Sequence, residues 1–152
     1  MAGTLIVFEG TDGSGKSTQF QRLCQRVSQS GRAFQQLVFP QYQEPSSALI
    51  RMYLNGEFGS HPEDVNPYAA SAFYAVDRYA SLKKVWGDYY QSGGLILTDR
   101  YTTSNAVHQA VKCPPQERGD FLRWLDDFEH TKLGLPRPDL VLYLDLPTDP
   151  GV

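Results

Sequence analysis

The sequence of 152 residues is poor in three features that would assign it to a common class of protein. A membrane-spanning helix needs about 20 consecutive apolar residues, and no hydrophobic run in this sequence is close to that length. We therefore expect no membrane partner. The net charge is −3, which argues against a nucleic-acid partner, because such a protein needs a basic face. Cys24 and Cys113 lie far apart and in no metal-like spacing. These properties predict a reduced, cytoplasmic protein.

What the sequence does contain is a glycine-rich loop between an apolar run and an amphipathic segment. Residues 10–17 read GTDGSGKS and match the P-loop pattern G-x-x-x-x-G-K-[ST], directly after the apolar residues 5–8. Such a loop turns backbone N–H groups toward a polyphosphate at the N-terminus of the following helix. Lys16 would reach the β and γ phosphates of ATP, and the Ser17 hydroxyl would hold Mg²⁺. The alternative is a glycine-rich turn that precedes a lysine by chance. The residues predicted to bind ATP and phosphate are Gly10, Thr11, Asp12, Gly13, Ser14, Gly15, Lys16, Ser17 and Thr18.

Apolar runs and amphipathic segments alternate along the chain. We predict buried strands at residues 5–8, 36–39, 95–98 and 139–145, because continuous apolar runs suit strands that are covered on both faces. The spacing of apolar residues predicts helices at 16–31, 46–54, 66–91, 104–111 and 115–129. In two of these helices the expected apolar face includes neighbouring residues, namely Val85 and Trp86 in 66–91, and Phe121 and Leu122 in 115–129.

This alternation predicts an α/β fold with a three-layer, doubly wound parallel sheet of the P-loop NTPase type. We assign residues 1–152 to a single P-loop kinase domain. Ligands of such sheets bind at the carboxyl ends of the strands. Asp99 and Arg100 follow the third strand there. Asp99 is placed like the acid that holds Mg²⁺ in P-loop proteins, and Arg100 could bind a phosphate with two hydrogen bonds. The alternative is an exposed pair that ends the strand.

The chain resembles the thymidylate kinases, the P-loop nucleoside monophosphate kinases that make dTDP from dTMP and ATP. The resemblance runs from Thr4 to about Pro147 and is most specific at the Asp-Arg-Tyr element of residues 99–101. It also rests on residues 8–18, 39–40, 74, 77–78, 104–105, 108–109 and 138–145. It implies transfer of the γ-phosphoryl group of ATP to dTMP with Mg²⁺. It also implies a homodimer, for which the helix at 66–91 is the candidate interface.

The resemblance implies roles for individual residues. An aromatic ring at Tyr74 stacks on thymine, and the arginine at Arg78 donates to a base carbonyl; the alternatives are a core aromatic and a structural salt bridge near Asp77. Arg51 resembles an arginine that grips the dTMP phosphate, with an exposed helix face as its alternative. Pro40 resembles a proline that often follows a cis peptide bond. The implied dTMP site is Asp12, Phe39, Pro40, Arg51, Tyr74, Arg78, Arg100, Asn105 and Gln109.

The implied catalytic set is Lys16, Asp99, Arg100 and Asp12, with Ser17 and Asp99 as the metal site. Asp12 matches a carboxylate that relatives place near the 3′-hydroxyl and phosphate of the acceptor; a turn-forming aspartate is the alternative.

The sequence departs from the family pattern after Asp145. The resemblance implies an arginine-bearing lid, an adenine-binding loop and a last strand and helix there, and some relatives carry a catalytic arginine where this chain has Gly13. We therefore expect a C-terminally truncated fold, an exposed edge on the first strand and impaired phosphoryl transfer. Two alternatives stay open: a non-catalytic nucleotide-binding remnant or scaffold, and another P-loop deoxynucleoside or nucleotide kinase.

Overall fold

Four parallel strands form the sheet at the centre of the computed structural model, which describes residues 2–11 and 13–145. The strands are β1 (Thr4–Gly10), β2 (Gln35–Val38), β3 (Leu95–Asp99) and β4 (Leu140–Leu144). Their order in the sheet is β2-β3-β1-β4. Phe8 lies opposite Asp99 in the register of β1 with β3. Because the strands are parallel, their carboxyl ends lie along the same edge of the sheet.

Helices lie on both faces of this sheet. They are α1 (Lys16–Gln29), α2 (Ala48–Leu54), α3 (Pro67–Ser81), α4 (Gly87–Gln91), α5 (Thr102–Ala110) and α6 (Arg118–Asp126). Short 3₁₀ turns occupy Pro45–Ser47, Pro62–Asp64 and Pro115–Glu117. Two π-helical segments, Leu82–Trp86 and Asp127–Lys132, follow α3 and α6.

Successive residues of β1 divide the core into two layers. Leu5 and Val7 are buried on one face in a cluster with Trp86. Phe8 points to the other face and meets Phe20 of α1 with the ring centroids 5.5 Å apart. This alternation is the period-two pattern of a strand. It confirms the predicted three-layer α/β fold.

The long predicted helix at residues 66–91 is interrupted by a π-helical segment. Its start is as expected, since the Asn66 side chain accepts a hydrogen bond from the Ala69 N–H at 2.9 Å. The prediction that Val85 is buried is wrong: it is 47% exposed, whereas Trp86 beside it is fully buried. The wider π turn rotates the residues after it relative to an α-helical period, so Trp86 faces the core instead.

Two further burial predictions are wrong. Leu122 is 41% exposed because adjacent helical residues point in different directions, and Phe121 occupies the inward one. β4 was expected to be buried, yet Leu140 and Tyr143 are each 48% exposed. In the described part of the chain β4 is the outer strand of the sheet, and β1 is paired on both sides, so the expected exposed edge of β1 is also wrong.

The expectation of a truncated fold concerns residues 146–152, which lie outside the described residues. Across residues 2–11 and 13–145, no helix has both the length and the apolar character that a membrane crossing requires.

Candidate active site

A cavity of about 570 Å³ lies where the carboxyl ends of β1, β2 and β3 meet α3 and α5. This is the position at which doubly wound sheets bind their ligands. Most of the residues predicted for the site line it, namely Thr11, Gly13, Gly15, Lys16, Ser17, Thr18, Phe39, Pro40, Tyr74, Arg78, Asp99, Arg100, Asn105 and Gln109. Side chains that are distant in sequence are therefore brought to one cavity.

The loop between β1 and α1 has the backbone that the sequence motif requires. Gly13 and Gly15 have φ values of 80° and 81°, in the left-handed region where glycine alone is unstrained. A Cβ at either position would meet open space, so conformation rather than room demands glycine. Gly15 is the N-cap of α1, and Lys16 is its first residue. The positive end of a helix thus begins at the cavity wall.

Lys16 and Asp99 contact each other at the end of this loop. Both are buried, and the Lys16 ammonium donates to Oδ1 of Asp99. The parallel register of β1 and β3 explains the contact, because it places the end of β3 beside the loop that leaves β1. We call Gly13, Gly15, Lys16, Ser17 and Asp99 the loop wall.

The loop wall suits a magnesium ion held with a phosphate. Ser17 and Asp99 both line the cavity and offer hard oxygen ligands. Mg²⁺ is commonly bound by one or two protein oxygens together with water and substrate phosphates. In the described ranges no group of three or more His, Cys, Asp or Glu side chains could hold a metal by itself.

Arg100 has a strained backbone at the cavity. Its φ of 68° lies in the left-handed region, and its N–H donates to the Phe8 carbonyl oxygen at 2.8 Å, which holds this conformation. Arg100 Nη1 lies 3.3 Å from Nε2 of His108. Because a guanidinium only donates, we assign His108 Nε2 as the acceptor. Both side chains line the cavity.

A buried ion pair holds a second group of residues in the cavity lining. The guanidinium of Arg78 is 2% exposed, and its Nη2 donates to Oε1 of Glu129, which is 1% exposed. Asn105 Nδ2 donates to the Ser71 carbonyl oxygen at 3.1 Å and contacts the same Glu129 oxygen at 3.5 Å. Burial raises the pKa of Glu129, while Arg78 acts in the opposite direction. We call Tyr74, Arg78, Asn105 and Gln109 the arginine wall.

This ion pair corrects the expected partner of Arg78. A salt bridge near Asp77 was the alternative to base binding, but the carboxylate comes from Glu129, 51 residues later. Asp77 instead accepts from the Gln41 N–H at 2.9 Å and from the Ser46 hydroxyl at 2.5 Å. It thereby fixes the segment that follows Pro40. Arg78 is both ion-paired and part of the cavity lining.

Two buried polar atoms of the arginine wall have no hydrogen-bond partner among the residues the structure describes. These are Nε of Arg78, a donor, and Oε1 of Gln109, an acceptor. A buried polar atom without a partner is costly, and both residues belong to the cavity lining. Tyr74 lies beside them, and burial raises its pKa to about 12. Its ring borders the cavity, so it is not a core aromatic.

Some predicted residues do not line the cavity. Arg51 lies outside the lining, and its Nη1 donates to the Tyr42 carbonyl oxygen at 2.8 Å. Gly10 and Ser14 belong to the loop motif but are not part of the cavity lining. Asp12 lies outside the described residues. The peptide bond from Phe39 to Pro40 is cis, as expected.

Sequence reasoning missed Glu129 altogether and assigned no role to Tyr42 or Val38, which also line the cavity. One signal for Glu129 was present, since a buried arginine needs an acid. The sequence gives no indication of which acid that is, because the partner comes from a distant segment.

A phosphate loop between β1 and α1, together with an acid at the end of the neighbouring strand, places the molecule among the P-loop nucleotide-binding proteins. Comparison with known proteins narrows this class. The sequence profile of thymidylate kinase matches residues 8–152, and the chain belongs to this family.

Individual relatives agree. The chain is 32% identical to the thymidylate kinase of Mycobacterium tuberculosis strain H37Rv, over 89% of this chain and 62% of that protein. It is 34% identical to the thymidylate kinase of Danio rerio, over 95% of this chain and 61% of that protein. A solved structure of thymidylate kinase from Candida albicans matches with a TM-score of 0.67 and 28% identity, covering 95% of this chain and 63% of that one. The chain therefore spans a little over three fifths of the length of these relatives.

Proposed function

We propose that this protein transfers the γ-phosphoryl group of ATP to dTMP and so produces dTDP. One observation carries the proposal: a single cavity joins the loop wall to the arginine wall, so that phosphate-binding residues and the aromatic, guanidinium and amide side chains of Tyr74, Arg78, Asn105 and Gln109 line the same space. The loop wall suits a triphosphate, and the arginine wall suits a neutral base with both carbonyl and N–H groups. Membership of the thymidylate kinase family supports the same pairing of substrates.

ATP would bind by its phosphates at residues 10–18. The backbone of the loop and the N-terminus of α1 favour an anion there, and Lys16, which is buried, adds a positive charge to the cavity lining. Ser17 and Asp99 would hold Mg²⁺. When bound, the ion neutralises charge on the phosphates and helps to align them. Lys16, Asp99, Arg100 and Asp12 form the proposed catalytic set.

The nucleotide acceptor would bind along the arginine wall. Thymine offers a carbonyl oxygen for Arg78 Nε and an N–H for Gln109 Oε1, the two groups that the structure leaves without a partner in its described part. Tyr74 would stack on the base as a neutral ring, consistent with its raised pKa. Asn105, Phe39 and Pro40 complete the proposed dTMP contacts that line the cavity.

The chemical step requires charge neutralisation and alignment rather than proton abstraction. The acceptor is a phosphate whose second pKa is near 6, so its oxygen is a competent nucleophile at neutral pH. Arg100 lines the cavity and would bind phosphate oxygens, and Arg51 and Asp12 stay predictions for the same region. Phosphoryl transfer depends mainly on positioning of this kind.

Several broader assignments are also proposals. The chain would act in the cytoplasm as a single P-loop kinase domain, without a nucleic-acid or membrane partner. A homodimer would use the α3 to α4 region, where Val76, Tyr79 and Val85 are exposed apolar residues.

The direct test is formation of dTDP from dTMP and MgATP, compared with Lys16→Ala. We expect the substitution to lower turnover by at least about a hundredfold, because the loop wall loses its cation. Arg26→Ala, an exposed basic residue on the last turn of α1, is the matched control and should leave turnover unchanged. Tight dTMP binding without turnover would identify a non-catalytic nucleotide-binding protein instead, and Lys16-independent turnover would contradict the proposal.

A further inference from the structure

Glu129 is a buried acid that does not itself line the cavity. It lies in the π-helical segment Asp127–Lys132 and is 1% exposed. Its oxygen Oε1 receives contacts from Arg78 and Asn105, both of which line the cavity. Any effect of Glu129 on a ligand therefore passes through these two side chains.

The contact with Arg78 fixes the orientation of a planar group. A guanidinium carries five N–H donors in one rigid plane. The bond from Nη2 to Glu129 restrains this plane, and Nε is buried without a partner among the described residues. The same carboxylate oxygen lies 3.5 Å from Asn105 Nδ2, whose amide also donates to Ser71 at 3.1 Å. One acid thus orients two polar side chains of the arginine wall.

The segment that carries Glu129 is itself held on both sides. His130 Nδ1 lies 2.8 Å from the Leu135 carbonyl oxygen, and its Nε2 lies 3.1 Å from the Thr102 hydroxyl. Because a carbonyl oxygen only accepts, we assign the proton to Nδ1, and Nε2 accepts from Thr102. The Leu135 N–H also donates to the Glu129 carbonyl oxygen at 3.0 Å. The contact with Thr102 joins the segment to the start of α5, and the two bonds with Leu135 join it to the chain that follows, so the backbone that carries Glu129 is held in place.

We propose that Glu129 is a positioning residue for pyrimidine recognition, which orients Arg78 and Asn105 toward the base of the nucleotide acceptor. The inference rests on the proposed function, since it assumes that the arginine wall faces a base. In this inference Glu129 contributes to recognition of the base, and it contributes neither to binding of the acceptor phosphate nor to binding of the triphosphate of ATP.

The test compares two ligands that differ by the base. Calorimetry would give the Kd of dTMP and of 2-deoxyribose 5-phosphate for the wild-type chain, Glu129→Gln and Glu129→Asp. Glu129→Gln removes the charge, and Glu129→Asp keeps the charge on a side chain that is one methylene shorter. We expect each variant to weaken dTMP about tenfold, because a hydrogen bond to a charged group is lost or misplaced, and to leave 2-deoxyribose 5-phosphate within about twofold.

Two further variants separate positioning from general structural damage. Asp126→Asn breaks an exposed carboxylate–arginine pair with Arg137 close to the same segment and should change neither Kd. Arg78→Met combined with Glu129→Gln should bind dTMP at most about threefold more weakly than Arg78→Met alone, because only the 3.5 Å contact with Asn105 is then left to lose. Should Glu129→Gln fail to fold, Glu129→Asp and this double variant, which leaves no unpaired charge, still decide the question.

Equal weakening of both ligands, unchanged dTMP binding in the Glu129 variants, or additive losses in the double variant would each overturn the positioning role. A wild-type chain that binds dTMP no better than 2-deoxyribose 5-phosphate would overturn the proposed function and this inference together. A normal wild-type preference with unaffected variants would overturn the inference alone.

Discussion

The two walls of the cavity are built in different ways. The loop wall comes from one continuous stretch of chain and the adjacent end of β3, and its shape is set largely by backbone conformation at Gly13 and Gly15. The arginine wall comes from α3 and α5, and its shape depends on a contact between Arg78 and Glu129, an acid 51 residues later in a π-helical segment. A backbone-built wall suits phosphates, which are alike in every nucleotide. A wall built from side chains suits the base, which differs from one nucleotide to another.

The largest expected effect breaks the loop wall while sparing the arginine wall. Asp99→Asn removes the partner of Lys16 and one proposed metal ligand. Turnover should fall by about a hundredfold or more, whereas the Kd of dTMP should change by less than about threefold. Steady-state kinetics together with dTMP calorimetry would measure both quantities. A loss confined to dTMP binding would contradict the division into two walls.

The next effect breaks the arginine wall and has a pH dependence. Arg78→Met leaves Glu129 buried without its cation, which should lower the free energy of unfolding by about 3 kcal/mol at neutral pH. Burial raises the pKa of Glu129 above its usual 4.5, so the folded state holds the proton more tightly than the unfolded state does. The contribution of Glu129 to stability is therefore fully present below its unfolded pKa and is lost as the pH rises through its folded pKa.

Urea unfolding of Arg78→Met and wild type at pH 5 and pH 7 would show the effect. The difference between the two proteins should be smaller at pH 5, where the unpaired carboxyl takes up a proton more readily. A difference that grows on acidification would contradict this assignment of Glu129.

A smaller effect concerns the ring beside Arg78. Tyr74→Phe keeps the aromatic face and removes only the hydroxyl, so dTMP binding should stay within about twofold. Tyr74→Ala removes the face and should weaken dTMP by about tenfold or more. Because the pKa of Tyr74 is raised to about 12, the wild-type and Tyr74→Phe binding curves should run parallel between pH 6 and pH 9. Divergence in that range would show that the hydroxyl, rather than the ring, binds the nucleotide.

The smallest effect concerns Asp126 and Arg137, which form an ion pair of the same kind as Glu129 and Arg78 but are exposed to solvent. Hydrogen bonding to Arg137 lowers the pKa of Asp126 below its usual 3.8, and both groups are exposed. The pair therefore stabilises the fold above the unfolded pKa, and this contribution disappears as the pH falls through the folded pKa. Asp126→Asn should lower the Tm by no more than about 2 °C at pH 7, because solvent screens exposed pairs. A larger drop would remove the contrast with the buried pair of Arg78 and Glu129.

The sequence was sufficient for the parts of the molecule that are locally encoded. The phosphate loop is a contiguous motif, the apolar runs mark all four strands, and Asn66 with Pro67 marks the start of α3. The resemblance to thymidylate kinases, which rested on Asp99, Arg100 and Tyr101 together with the loop, is confirmed by the family match.

The failures of sequence reasoning concern contacts between distant segments. Val85 and Leu122 sit in apolar patterns, but the π-helical turn and the packing of Phe121 decide which residue faces inward. The apolar run of β4 predicts a buried strand, whereas its burial depends on its place in the sheet. Glu129 shows the same limit at the site, because its function is defined by an arginine that lies 51 residues earlier.

The most direct measurement compares phosphoryl transfer from MgATP to dTMP and to thymidine, which differ only in the phosphate group. If the two walls hold a nucleoside monophosphate, dTDP forms and kcat/KM for thymidine is lower by at least about a hundredfold, since the charged contacts to the acceptor phosphate are missing. Comparable transfer to thymidine would identify a deoxynucleoside kinase, and transfer to neither acceptor would contradict the proposed phosphoryl transfer itself.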